Sequence, residues 1–257
     1  MIFYDIRNET KKDFILNQEN KLLKYFLYKI DCEKDLDCDS CLYSKKIYKQ
    51  LWNFETGNGT NFGYIELNKQ NDIYGIDTMN SFLISWNWFV KNYIKEEIVK
   101  IFGNINFKKV DINMFIYNFF YLEDIIIKKF GYDLYENIYD FAKYTHTIGN
   151  FILVPKYIEG YTKGKGTFNT IRASKEKDFW DLSLSVLKNS DFSFNEYCDK
   201  FYLKNIYVDA DCAVIPLFNR SHNVLFDSIE DYNVFLSNVN KKIIKRNMVI
   251  QERLGLV

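Results

Sequence analysis

Several features are scarce in this chain, and each scarcity narrows what the protein can be. Its 257 residues include only 2 Pro, 11 Gly and 2 His. Little therefore interrupts helices, and few imidazoles are offered for catalysis or metal binding. Basic and acidic side chains balance at 34 each, which argues against nucleic-acid binding through the whole surface and leaves only a local basic patch for that purpose.

Long apolar runs are also missing. The longest uncharged apolar stretches, residues 78–90 and 112–122, are shorter than the roughly 20 residues that a membrane-spanning helix needs. The first residues lack the charged and then apolar pattern of a secretory signal. We therefore predict a cytoplasmic protein with no membrane association.

Five cysteines are an odd number for a disulfide framework, which a chain of this size does not need. Cys38 and Cys41 have the CxxC spacing of metal ligands, with Cys32 just upstream. A closed zinc site needs four ligands, and no histidine is close by in the sequence. Free thiols in an acidic loop are the favoured interpretation, and a structural metal is the alternative.

Aromatic residues are abundant, at 18% of the chain. Apolar residues at helical spacing predict most of the secondary structure. Helices are predicted at about 9–30, 41–52, 80–102, 111–129, 133–144 and 228–247, and helices are also expected to resume near residue 174. We expect the helix at 80–102 to stop at Gly103, and the last helix to begin with a capping-box-like Ser228.

Strands are predicted at 63–67 and 72–77, paired as a hairpin, and at 148–154. Strands and helices do not alternate regularly, which disfavours a doubly wound or barrel fold. The predicted class is α+β: a helix-rich single domain, residues 1–257, with a small antiparallel sheet. Residues 1–50 are a candidate helical N-terminal extension of that domain.

Polar side chains of distinct chemistry are concentrated in residues 144–182. A histidine there can move a proton near neutral pH, an arginine can hold phosphate or carboxylate, and aspartates can orient the arginine or help bind a divalent metal. The candidate catalytic residues are His146, Asn150, Asn169, Arg172, Asp178 and Asp181. A structural network is the alternative, in which asparagines pin loops and Arg172 pairs with Asp181.

A glycine-bearing loop, residues 159–167, interrupts this segment. Its backbone N–H groups, with Lys163 and Lys165, are candidates for binding a nucleotide or phosphate. The full spacing of a nucleotide P-loop is lacking, so a surface loop is the alternative. Further along the chain, Arg220 and Arg246 could join Arg172 in a basic patch.

The order Thr147-Ile-Gly-Asn-Phe, Pro155, Asn169-x-x-Arg172 and Asp178-x-x-Asp181-Leu resembles the central signature of a bacterial family of unknown function. Residues 51–52, 75–78 and 246–247 lie where similar elements occur in that family. The resemblance covers most of residues 50–253. It implies a shared fold and brings no established activity.

The run His146-x-Ile-Gly-Asn-Phe-x-Leu is also similar to the second half of the HNH-type element in GmrSD-like restriction nucleases. That resemblance implies a ββα metal site in which one histidine activates water. The chain has no histidine before His146, where the family element has an acidic-His pair, so the likeness is to the scaffold.

Two functions follow as predictions. The first is an enzyme that acts on a phosphodiester or nucleotide in a phage-defence or toxin-type system, with His146 as general acid or base and Asn150 and Asn169 as positioning residues. A divalent metal is the cofactor that such chemistry would take. The second is a non-catalytic module from a mobile element, which binds a protein or nucleic acid through an aromatic-rich surface.

Overall fold

The computed structural model describes residues 50–52, 73–103, 122–145, 147–155, 168, 179–189, 193–220 and 225–255. Most residues in these ranges are helical, which confirms the helix-rich character that the apolar spacing predicts. The elements are β1 (Ile73–Ile76), α1 (Met79–Phe89), a π-helical segment (Val90–Ile94), α2 (Lys95–Phe102), α3 (Glu123–Phe130), α4 (Tyr132–Tyr144), a 3-10 turn (Ile148–Asn150), β2 (Ile152–Pro155), α5 (Trp180–Lys188), α6 (Phe194–Lys200) and α7 (Ile229–Arg253). Among these helices, none combines the length and the apolarity needed to cross a membrane.

The helix predicted at 80–102 is present but contains a π-helical segment. It ends as predicted, where Gly103 has a φ of 77° and its N–H donates to the Val99 carbonyl at 2.9 Å. The π-helical segment brings Tyr93 within 5.4 Å of Trp88, measured between ring centroids. Tyr93 also lies near the start of α7, where burial and the nearby Glu230 carboxylate raise the pKa of its hydroxyl. The π-helical segment therefore places Tyr93 near the N-terminus of the last helix.

The two described strands meet across a long sequence separation. β1 pairs antiparallel with β2, with Ile73 opposite Pro155 and Ile76 opposite Ile152. The segment 63–67, the predicted hairpin partner of β1, lies outside the described residues. The strand predicted at 148–154 is shorter than expected, because its first three residues form the 3-10 turn.

The last helix is longer than predicted and carries buried side chains from Tyr232 to Ile250. Ser228 accepts a hydrogen bond from the Asp231 N–H at 3.1 Å, which confirms the predicted cap. The helix then continues to Arg253 rather than ending near residue 247. It continues because Ile243, Arg246 and Ile250 extend the buried stripe by two further turns.

Two clusters of buried side chains form the core, and α7 contributes to both. One cluster surrounds Trp180 and Tyr207 and includes Ile250 from the end of α7. The other contains Tyr232, Phe235 and many further aromatic residues from α1, α4 and the start of α7. Among the described residues, many Phe and Tyr side chains are thus used for packing, with ring pairs in edge-to-face and tilted arrangements.

The remaining predicted elements fall wholly or partly outside the described residues. This applies to all of the helix at 9–30, to most of the helix at 41–52, and to the first half of the helix at 111–129. The helix expected from about residue 174 is described from Trp180 onward, as α5. Cys32, Cys38 and Cys41 also lie outside, so a metal at these residues remains an untested alternative.

Candidate functional site

Asn150 lies at the centre of a buried hydrogen-bond network. Its side chain is 0% exposed. Its Oδ1 accepts from the Thr78 hydroxyl at 2.8 Å and from the Trp180 Nε1 at 2.9 Å, and its Nδ2 donates to the Thr145 carbonyl. The amide therefore joins the starts of α1 and α5 to the end of α4. A buried amide with this many partners fixes the arrangement of the elements around it.

The turn that contains Asn150 is pressed against α7. The Gly149 N–H donates to the Asn247 Oδ1 at 2.6 Å, and the Asn247 Nδ2 donates to the Thr147 hydroxyl at 3.0 Å. A Cβ on Gly149 would lie 2.6 Å from the Asn247 Cγ and still closer to the Ile243 carbonyl oxygen. Glycine is therefore required here by contact with the helix backbone.

Arg246 reinforces this contact from inside the protein. Its side chain is 0% exposed, and its guanidinium donates to four backbone carbonyls, those of Ile148, Gly149, Phe151 and Phe201, at 2.7 to 3.1 Å. The planar fork of arginine suits this task because its donors diverge in one plane. The prediction that Arg246 contributes to a surface basic patch is therefore wrong.

Asp181 is held in a second buried network, at the start of α5. Its side chain is 4% exposed. It accepts the backbone N–H groups of Leu182 at 3.0 Å and Leu217 at 2.9 Å, and both of its oxygens pair with the Arg220 guanidinium. The described ion-pair partner of Asp181 is thus Arg220, a residue that the sequence pattern assigns to a basic patch with Arg172.

Arg220 also lies close to two aromatic rings. Its guanidinium carbon lies 4.1 Å from the centroid of Phe218 and 5.4 Å from that of Phe179. These stacking contacts add to the bidentate ion pair and keep the side chain in one orientation. The pairing could not be read from the sequence, because 39 residues separate the two partners.

An open groove of about 570 Å³ lies directly over this ion pair. We call it the Arg220 groove. Its walls come from α5, from the segment 214–220 and from α7. Its lining residues are Asp181, Leu182, Ser185, Val214, Pro216, Phe218, Asn219, Arg220, Val234 and Asn238.

The structure describes only part of the predicted catalytic set. Asn150 and Asp181 belong to separate networks at the start of α5: Asn150 accepts a hydrogen bond from Trp180, and Asp181 accepts one from the Leu217 N–H. Both are engaged in networks that position backbone segments. The other predicted site residues, His146, Asn169, Arg172, Asp178, Lys163 and Lys165, lie outside the described residues, and their roles stay predictions.

Metal binding is not supported by the described side chains. In the ranges that the structure describes, no three His, Cys, Asp or Glu side chains are grouped as metal ligands. Comparison of the chain with protein-family models, with curated proteins and with solved structures found no match in any of the three. The function must therefore be argued from the geometry of the chain itself.

Proposed function

We propose that the protein is a non-catalytic module that binds an uncharged segment of a partner polypeptide in the Arg220 groove. The observation that supports this proposal is the charge state of the groove. Among the described residues that line it, Asp181 and Arg220 carry the charges, and they neutralise each other as a bidentate pair. A charged ligand would find no opposite charge among these residues that is not already engaged, so the cost of removing it from water would not be offset.

The polar groups of the groove suit a peptide backbone. Ser185, Asn219 and Asn238 supply a hydroxyl and two amides. The oxygens of all three can accept hydrogen bonds from peptide N–H groups, and the amides can also donate to peptide carbonyls. Asn238 and Ser185 are already oriented, because they donate to the carbonyls of Leu217 and Asp181, each at 2.7 Å. Preorientation of this kind lowers the entropy lost on binding.

The apolar part of the groove suits a side chain of the same segment. Val234 is 49% exposed although it lies on α7, which contributes buried residues to both core clusters. Pro216 is also exposed, and the Phe218 ring lies at the base of the wall. An aliphatic or aromatic side chain of the partner would bury this surface, as anchors of protein interfaces do.

The test is selection of a random peptide library against the purified full-length chain, with Val234→Glu as the variant. Met248→Glu is the matched control, because Met248 lies on the same helix, is 51% exposed and is not part of the groove. We expect selected peptides to lose about tenfold or more in affinity with Val234→Glu and less than about twofold with Met248→Glu. The proposal would be contradicted if the selected peptides bound Val234→Glu and Met248→Glu with equal affinity, or if no peptide were enriched.

The alternative function, an enzyme acting on a phosphodiester or nucleotide, is tested separately. Phosphodiester or nucleotide chemistry depends on His146, Asn169 and Arg172, so it remains a prediction that the described contacts leave open. If the wild type cleaves nucleic acid or nucleotide, and His146→Ala abolishes cleavage without lowering the melting temperature, the enzyme is the better description. A cytoplasmic setting in a phage-defence or toxin-type system likewise remains a proposal.

We also infer that β1 and β2 belong to the small antiparallel sheet expected of an α+β fold. The support is their register, in which four residues of each strand face each other. Slow amide exchange in both strands is the expected result, and exchange as fast as in an unfolded chain would contradict the inference.

A further inference from the structure

Cys198 and Cys212 both belong to the first of the two core clusters. Cys198 belongs to α6 and Cys212 to the turn near residue 210; both are free thiols, 0% and 5% exposed respectively. The Cys212 thiol donates to the Asn195 Oδ1 at 3.0 Å, and Asn195 lies three residues before Cys198, on the same face of α6. Two thiols from separate segments are thus held near each other inside the protein.

The backbone around Cys212 is fixed in a conformation that this residue type seldom adopts. Its φ is 58°, in the left-handed region. The turn is held by Asp209, whose carboxylate accepts the Ala213 N–H at 2.7 Å and whose own N–H donates to the Ala213 carbonyl at 2.9 Å. Such a conformation persists where surrounding contacts enforce it.

The surroundings divide the two thiols into different chemical roles. Burial, followed by the nearby Cys212, raises the pKa of the Cys198 thiol, while the ammonium of Lys204 acts in the opposite direction. Cys198 is therefore poor at starting a reaction. Cys212 is the thiol that retains contact with solvent, with the Lys204 cation near it.

We propose that Cys198 and Cys212 form an oxidisable dithiol that a peroxide closes into an intramolecular disulfide. The Cys212 sulfur attacks one peroxide oxygen, the O–O bond breaks, and one water leaves as Cys212 becomes a sulfenic acid. The Cys198 sulfur then attacks the Cys212 sulfur, the S–O bond breaks, and a second water carries away the Cys198 proton. Two thiols are oxidised by two electrons, and one hydrogen peroxide is reduced to two waters.

The test uses a full-length background in which Cys32, Cys38 and Cys41 are changed to Ser, so that only this pair can react. We expect hydrogen peroxide to lower the intact mass by about two units, one hydrogen per thiol, and peptide mapping to find Cys198 linked to Cys212. The oxidised protein should melt several degrees higher, because the disulfide restricts the conformational freedom of the unfolded chain. Dithiothreitol should restore both the original mass and the original melting temperature.

Single substitutions in the same background separate the two roles. Cys198→Ser should stop at a sulfenic acid on Cys212 that dimedone traps, and Cys212→Ser should leave Cys198 largely unreacted. A peroxide-treated protein with both thiols intact, or with links between chains only, would overturn the proposal. If a variant fails to fold, peptide mapping of the unsubstituted chain after peroxide treatment still tests the proposal. A Cys198–Cys212 link supports it, and intact thiols or links between chains only would overturn it.

Discussion

At the scale of single residues, Gly149 marks the closest approach of the turn before β2 to the last helix. We expect Gly149→Ala to lower the free energy of unfolding by about 1–3 kcal/mol, because the added carbon would meet the Ile243 carbonyl and the Asn247 side chain. Urea denaturation followed by tryptophan fluorescence measures this change.

Gly103→Ala is the comparison for that substitution. Gly103 has a positive φ of 77°, but a Cβ there would meet nothing within 4 Å. Its ψ of −165° places Gly103 in a region that is essentially restricted to glycine, so Gly103→Ala should cost about 1–3 kcal/mol through backbone strain alone. A Gly149→Ala protein as stable as the wild type would show that the close packing of the turn against α7 is not important for stability.

Asp181 allows the structural and the catalytic interpretation to be separated. Asp181→Ala leaves Arg220 without its described carboxylate and two backbone N–H groups without an acceptor. We expect a loss of about 3 kcal/mol in the free energy of unfolding. The exposed Asp124, in the first turn of α3, is the control, and Asp124→Ala should change the free energy by less than about 0.5 kcal/mol. An Asp181→Ala protein as stable as the wild type would argue that the carboxylate is kept for chemistry rather than for folding.

The residues around Asn150 show what sequence reasoning could and could not reach at this scale. The cluster of polar residues was recognisable as unusual, and the structure does bring Asn150 into a network with Thr78 and Trp180. Whether the Asn150 amide faces solvent or the interior depends on Thr78 and Trp180, which are 72 and 30 residues away in the sequence. Residue type and local spacing carry no information about that choice, because the same amide serves a site or a core equally well.

At the scale of secondary-structure elements, Arg246 couples α7 to the 3-10 turn and to the end of α6. Arg246→Lys retains the charge but replaces the planar donor fork by one ammonium, which cannot satisfy four diverging carbonyls. We expect a loss of about 3 kcal/mol in the free energy of unfolding. Faster amide exchange at Gly149 should accompany it, since its hydrogen-bond acceptor lies on the next residue of α7.

Lys241→Ala is the control for this change, because Lys241 lies exposed on the same helix. It should alter the free energy by less than about 0.5 kcal/mol. Wild-type exchange at Gly149 in Arg246→Lys would show that Asn247 alone holds the turn.

Element boundaries were predictable where local chemistry determines them and not where tertiary contacts do. Gly103 ends α2 and Ser228 caps α7 through groups within the same turn. By contrast, Thr78 immediately precedes α1, but its hydroxyl donates to Asn150 rather than capping the helix. The extension of α7 beyond residue 247 likewise depends on a buried arginine, a residue type that periodicity rules count as polar.

At the scale of the whole molecule, buried tyrosines in both core clusters make stability depend on alkaline pH. Burial raises the pKa of Tyr207 in one cluster, and of Tyr135 and Tyr232 in the other, above the ordinary value of 10.0. Above that value, the unfolded chain releases these protons while the folded chain keeps them. The unfolded state then binds fewer protons, so the free energy of unfolding is unaffected by these groups below about pH 10 and falls as the pH rises further.

Each of these tyrosines should contribute a slope of up to about 1.4 kcal/mol per pH unit above that point, measured by urea denaturation between pH 8 and 11. Tyr207→Phe should flatten the decline without lowering stability at pH 7, because no described group hydrogen-bonds to the Tyr207 hydroxyl. Tyr132→Phe is the control, since Tyr132 is 57% exposed and meets water in both states. If the two variants decline equally with pH, ionisation of the buried tyrosines does not drive alkaline unfolding.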